Sequence, residues 1–298
     1  MNSYRAISIL SIIYLAVVSL FLILHGNWFS PDQFFAVAIL VTLFLGRIKQ
    51  FIHDWSFPTI LFLSYEYLRG LVPNLTTSAH IFPMIKFDQT VFGVVPTLKL
   101  QEIFSDTSVH WYDNLAVFLY MSHFVVPMMF GFIFWLFKKE FFKDYYMSLL
   151  VLSYMAFITY IIFPAMPPWM ASADGFIPPI THIMDKVFAN FAVPFALPSV
   201  YRFFGANLVA AVPSLHGAYP FLILLFILKK FKMWGFLALP YVVGVWLSVV
   251  YLGEHYVFDI LVGVLYATVA FVLVTKRKYI FKKVTSFKLN FLEGGETV

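Results

Sequence analysis

The chain has 298 residues, of which 61% are hydrophobic, only 12% are charged and none is cysteine. A soluble domain is nearer half apolar and a quarter charged, so lipid must solvate most of this surface. The missing thiols exclude disulfides, thiolate metal sites, iron–sulfur clusters and cysteine nucleophiles.

In chain order, apolar runs predict about eight helices: 6–25, 33–48, 57–72, 114–137, 145–163, 213–229, 233–252 and 255–275. The first carries one early charge, Arg5, and no small-residue cleavage site before His25. It reads as a permanent span, not a signal peptide. The second and third runs are short. Two long connections, 73–112 and 164–212, hold Pro, Trp, His and polar residues, and 276–298 forms a basic tail. No repeat is visible. The expectation is one all-α integral membrane domain, 1–298.

Basic residues fix the orientation. With the N-terminus inside, 15 of the 20 Lys and Arg residues fall on the inner side. They include Arg47 and Lys49, Lys138 to Lys143, Lys229 to Lys232, and the tail. Arg69, Lys86, Lys99, Lys186 and Arg202 fall outside. Both termini are therefore expected in the cytoplasm and both long connections on the other face. The net charge of +5 then anchors the chain to anionic headgroups of the bilayer; it does not imply a nucleic-acid partner.

Two segments at predicted outer helix ends carry the chemistry: Val212-Pro213-Ser214-Leu215-His216 and Gly253-Glu254-His255-Tyr256-Val257-Phe258-Asp259. Polar groups at that depth need work or partners. His255 and Asp259 are four apart, so a helix puts them on one face. There the carboxylate fixes the imidazole tautomer and raises the basicity of the other nitrogen, which suits a nucleophile toward phosphorus. His216 lies 39 residues earlier, one span in and one span back, at the same depth. It could protonate a leaving oxygen as general acid. Pro213 and Ser214 open the helix of His216, and free N–H groups at such a start favour a phosphate. Each histidine alone could equally serve a neighbouring helix; their matched depth favours chemistry.

The Pro-Ser-Leu-His and His-Tyr-Val-Phe-Asp segments resemble the second and third signature motifs of the type 2 phosphatidic acid phosphatase superfamily. The resemblance covers roughly residues 50–275. It implies a six-helix phosphatase-like core, His255 as nucleophile, Asp259 as its orienting partner and His216 as acid. It further implies a phosphohistidine intermediate and neither metal nor cofactor. Two departures stand out. Ser248-Val249 replaces the usual Ser-Arg, and no first motif of Lys and Arg-Pro can be aligned. Phe163-Pro164-Ala165-Met166-Pro167-Pro168-Trp169 and Tyr251 to Asp259 are more similar to the inositol phosphorylceramide synthase branch. Trp111-Tyr112-Asp113 and Ser122-His123-Phe124 point the same way.

The absent arginine leaves a phosphate charge to be neutralised. Arg69 and Arg202 are the outer candidates. Arg69 fits either a phosphate role or an ion pair with Glu66, and Arg202 either a phosphate role or a solvated loop charge. Lys86, Lys99 and Lys186 read as solvated loop charges. Asp113 and Tyr112 could meet an acceptor alcohol or, more simply, cap a helix. His123 sits mid-helix, where an interhelical hydrogen bond is the plainer role. Pro167, Pro168 and Trp169 form either a lid or, preferably, an interfacial anchor. His80, His110 and His182 fit no metal spacing. Asn74-Leu75-Thr76 matches a glycosylation sequon. The 37 phenylalanines read as lipid-facing bulk.

Three functions remain in play. The first moves an inositol phosphate-like headgroup from a phospholipid to a lipid alcohol. The second hydrolyses a lipid phosphate, such as phosphatidate or polyprenyl pyrophosphate, with water as acceptor. The third is a non-catalytic transporter or lipid-binding protein, in which buried histidines relay protons. The lost arginines favour the transferase.

Overall fold

The computed structural model describes residue 13 and residues 31–72, 78–123, 125–190 and 207–279. Most of the predicted first span, the Asn74 sequon, Arg202 and the end of the basic tail lie outside the described residues. Every regular element among those described is helical: α1 (Pro31–Phe44), α2 (Ile48–Leu71), α3 (Phe82–Phe92), α4 (Pro96–Phe104), α5 (Trp111–Ser122), α6 (Val126–Phe137), α7 (Lys139–Ile162), α8 (Pro168–Ala173), α9 (Ile183–Ala189), α10 (Leu215–Phe231), α11 (Leu239–Tyr251) and α12 (Val257–Thr275).

Among the described residues, three helical stretches are long and apolar enough to cross a membrane: Lys139–Ile162, Leu215–Tyr251 and Val257–Thr275. The bent pair α5–α6 makes a fourth if it counts as one span. The stretch Leu215–Tyr251 doubles back through the 3-10 turn Lys232–Ala238, because the Trp246 indole N–H of α11 donates to the Gly217 carbonyl of α10 at 3.0 Å.

Three elements differ from the expected runs, each for a local reason. Helix α2 begins nine residues before the expected 57. Lys49, His53 and Asp54 interrupt its apolar run, but Asp54 is buried and accepts from the Trp135 indole and the Lys139 ammonium, both at 2.9 Å. The predicted run 114–137 is not one rod; α5 and α6 meet at a bend of 52°. Pro127 lacks the N–H that would reach the carbonyl of His123, and its ring clashes there, so the helix stops near Ser122. The connections 73–112 and 164–212 contain α3 and α4, and α8 and α9. Their inward polar residues, among them Asp88, Thr97 and Gln101, are buried, so no long apolar run marks them.

Helix α10 packs against α11 and α12, and α7 packs against α2, α6 and α12. Lipid tails are as apolar as leucine, so close backbone approach matters more here than area burial. Gly263, Ala267 and Ala270 form a seam of small residues on α12, with both alanines fully buried. At Gly263 a Cβ would stand 2.4 Å from the Ser214 carbonyl oxygen. That approach seats the start of α10 against α12. Elsewhere the core is aromatic: Trp55 packs on Phe142 with ring centroids 5.0 Å apart and on Tyr146 at 5.4 Å.

Gly263→Ala is expected to push α10 away from α12, lowering stability by about 1–3 kcal/mol. Thermal unfolding in detergent measures this, with Leu261→Ala on the exposed face of the same helix as the near-neutral control.

Candidate active site

The site is built on two helix ends. Helix α11 stops at Tyr251 and α12 starts at Val257, so carbonyls before the turn and N–H groups after it lose their helical partners. Side chains from far along the chain replace them. Thr97 Oγ1 donates to the Val250 carbonyl at 2.9 Å, and Gln101 Nε2 to the Tyr251 carbonyl at 2.8 Å. Asp88 accepts from the Val257 and Phe258 N–H groups, both at 3.1 Å. Asp259 accepts from the Tyr256 N–H at 2.9 Å. Two carboxylates thus cap the positive end of α12. Burial works to raise the Asp88 pKa, against the two N–H groups it receives. Gly253, at φ 81°, makes the turn, and a side chain there would strike Ile180.

His255 is held in this turn. Its Nδ1 lies 3.2 Å from Asp259 Oδ2, and its Nε2 lies 3.0 Å from His216 Nδ1. An ionised carboxylate only accepts, so Nδ1–H of His255 donates to it. That leaves His255 Nε2 with a lone pair, which takes the Nδ1–H of His216. The two histidines come from the starts of α10 and α12, which the Ser214–Gly263 approach brings together. The Ser214 N–H also donates to the Asp259 carbonyl at 3.0 Å. Tyr120 stacks on His216 at 4.3 Å.

Both histidines face a cavity of about 610 Å³, whose wall also includes Arg69, His123, Trp169, His182 and Glu254. Two connections, 73–112 and the two ends of 164–212, are tied together beside it through backbone hydrogen bonds. The His80 N–H donates to the Pro164 carbonyl, and the Ala165 N–H to the Val209 carbonyl, both at 2.7 Å.

The remaining candidates distribute as follows. Arg69 makes the expected ion pair, its Nε and Nη2 donating to Glu66 Oε2 at 3.2 and 3.0 Å, and it also lines the cavity. Ser214 is fully buried and caps α10, its Oγ accepting from the Gly217 N–H at 3.2 Å. Asp113 is absent from the cavity wall and has no room for an acceptor alcohol. It is fully buried, capping α5 through the His110 N–H at 3.0 Å and taking the Tyr251 hydroxyl at 2.5 Å. Lys186 is not a solvated charge but pairs with Asp113 at 3.1 Å. His123 sits at the α5–α6 break, donates Nδ1–H to the Tyr120 carbonyl at 2.7 Å, and packs its ring 3.7 Å from that of His216. Trp169 stands in the cavity wall, with its N–H on the Gly253 carbonyl at 2.9 Å.

His80 stacks on Phe163, and His110 pairs with exposed Asp106. His182 bridges two carboxylates, Asp185 at 2.7 Å and Glu254 at 2.9 Å. The residues missed from sequence, Asp88, Thr97, Gln101, Glu254 and His182, are single polar residues with no spacing to announce them. Only Glu254, beside His255, had a local clue.

The sequence profile of the PAP2 superfamily matches residues 84–273. The chain belongs to the PAP2 superfamily. The matched stretch contains both histidines and Asp259. A phosphoinositol dihydroceramide synthase of Bacteroides thetaiotaomicron is 29% identical over 266 residues, covering 84% of this chain and 86% of that protein. No solved structure gives a significant match. This PAP2-superfamily protein is thus an enzyme of the phosphatase and phosphotransferase class, similar to inositol phosphorylceramide synthases and carrying membrane-crossing helices.

The bridge at His182 sets a pH dependence. Burial works to lower its pKa, but the Glu254 and Asp185 carboxylates outweigh burial and raise it to about 9. A raised pKa means that the bridge is fully present below the unfolded value near 6.5 and is lost as pH rises through 9. Thermal midpoints in detergent are therefore expected to fall between pH 7 and 10 more steeply than in His182→Gln.

Proposed function

We propose that the enzyme moves an inositol phosphate-like headgroup from a phospholipid to a lipid alcohol through a phosphohistidine on His255. The observation that carries this reading is the run Asp259, His255, His216, in which each side chain hydrogen-bonds the next beside one cavity. The similarity to the Bacteroides phosphoinositol dihydroceramide synthase supports a phosphoinositol donor and a ceramide-like acceptor.

The reaction has two halves. His255 Nε2 attacks phosphorus, the bond to the glyceride oxygen breaks, and that oxygen takes the Nδ1 proton of His216, which enters the step as the imidazolium, with a proton on Nε2 as well, and leaves it neutral. Asp259 stabilises the charge developing on the His255 ring. The acceptor hydroxyl then gives its proton back to His216 Nδ1 and attacks phosphorus, and the N–P bond breaks. Arg69, already at the cavity wall, supplies positive charge to the phosphoryl oxygens in place of the arginine that the family pattern leads one to expect. Arg202 is retained as a second candidate, Ser214 as the cap that aims the start of α10, and Asp113 as a brace behind the site.

For the membrane, the proposal keeps about eight spans around a six-helix core, connections 73–112 and 164–212 on the outer face, and a cytoplasmic tail 276–298. Charge supports this orientation. Lys229, at the end of α10, and Arg277, just beyond α12, both reach Asp144 near the start of α7, at 4.0 and 2.7 Å. His216 and His255 belong to the opposite ends of those helices.

His255→Ala is expected to reduce turnover of a labelled phospholipid donor by at least about 10³-fold; full activity in that variant would sink the enzymatic assignment and favour a transporter. Purified protein given headgroup-labelled phosphatidylinositol and ceramide should place the label on the sphingolipid. Label recovered solely as water-soluble phosphate, with ceramide present, would instead establish the phosphatase.

A further inference from the structure

One group of polar side chains on the cavity wall has no part in the transfer chemistry. It comprises Glu254, His182, Asp185, Trp169 and Asn207. Four separate stretches bring them together: the turn before α12, the start of α9, α8 and the segment leading to α10.

We propose that Glu254, Asp185 and the ring of Trp169 form a polyol subsite that receives the hydroxyls of the headgroup carried on phosphorus. This assignment rests on the headgroup-transfer reading above and deepens it. Glu254 directly precedes His255 and lines the same cavity, so a headgroup attached to phosphorus at His255 Nε2 enters a space that its carboxylate also faces. One Glu254 oxygen, Oε1, holds His182; Oε2 has no hydrogen bond among the described residues. A carboxylate oxygen accepts from hydroxyls, and two carboxylates can take neighbouring hydroxyls of one ring. Trp169 offers a flat apolar face, with the His182 ring 5.0 Å away and the Trp169 backbone N–H tied to the Gly253 carbonyl.

Asn207 adds an independent observation. It is 8% exposed, its Oδ1 is occupied by the Val209 N–H, and its buried Nδ2 has no partner among the described residues. Such an orphan donor is costly unless something receives it. A ligand oxygen meets that need.

The imidazole between the carboxylates decides which headgroup class fits. Both ring nitrogens of His182 face a carboxylate oxygen, so both carry protons and the ring is a cation. It offsets one carboxylate charge and lets an anionic phosphate approach. It also occupies the place beside Trp169 that a choline or ethanolamine cation would seek. A neutral polyhydroxyl group gains from every member of the cluster, whereas a cationic one meets His182.

Binding can be measured separately from turnover. Full-length His255→Asn protein in detergent is titrated calorimetrically with glycerophosphoinositol, glycerophosphocholine and inorganic phosphate. The inositol ester is expected to bind at least about tenfold more tightly than the choline ester. Glu254→Gln and Trp169→Leu, each added to that background, should remove the preference while leaving phosphate affinity unchanged. Asp185→Asn serves as the fold-safe variant, since that side chain is 79% exposed, and should narrow the preference severalfold. Equal affinity for the two esters would overturn the subsite, as would variants that weaken all three ligands alike. If the wild type binds selectively yet transfers no label, the subsite stands and the transfer reading falls.

Discussion

Peptide groups at a helix end must find partners, and in this protein that requirement organises the site. The turn between α11 and α12 exposes carbonyls on one side and N–H groups on the other, at a depth where water cannot be relied on. Thr97 and Gln101 answer the carbonyls. Asp88 and Asp259 answer the N–H groups. The residue carried by that turn is His255. Two short helices from the first connection therefore fix the turn that carries His255 without touching the imidazole. Asp259 serves twice, since its Oδ2 both caps the helix and orients the ring.

The second histidine depends on packing. His216 reaches His255 because α10 lies close on α12, and the approach is close because position 263 has no side chain. The same logic extends along the seam of Ala267 and Ala270. At the far ends of these helices Asp144 gathers Lys229 and Arg277. One end of the bundle thus gathers Lys229 and Arg277 on Asp144, while the other holds the histidines, capped helices and a cavity. Positive charge at one end and the proposed phosphate site at the other form the electrostatic layout that the proposed orientation requires.

The contacts among His216, His255 and Asp259 were more legible in the sequence than the scaffold that holds them. The i, i+4 spacing of His255 and Asp259 specifies a contact within one helix turn, and 39 residues of apolar chain return His216 to the same level. These are local or nearly local rules. Asp88, Thr97 and Gln101 act over 150 to 170 residues of chain, and nothing in their neighbourhood marks them. The break at His123 was readable in principle from Pro127, four residues on, but a continuous apolar run concealed it. Helix α2 was read short because its buried Asp54 looks like a boundary until Trp135 and Lys139 are seen to satisfy it. Asp113 shows the same difficulty in reverse: a polar residue at a helix start looked available, and three donors had already claimed it.

The hydrogen bond between the two imidazoles has one more consequence. With its nitrogen electrons covered by a neighbouring ring, the resting protein keeps its own reactive atom shielded. A stray electrophile or passing cation finds a closed pair, whereas a phosphate able to hydrogen-bond to both rings can part them. On the proposed route, the proton returned in the second half lets the pair close again without outside help. Recognition and resetting would then be the same motion, made by two side chains that differ in partner and not in kind.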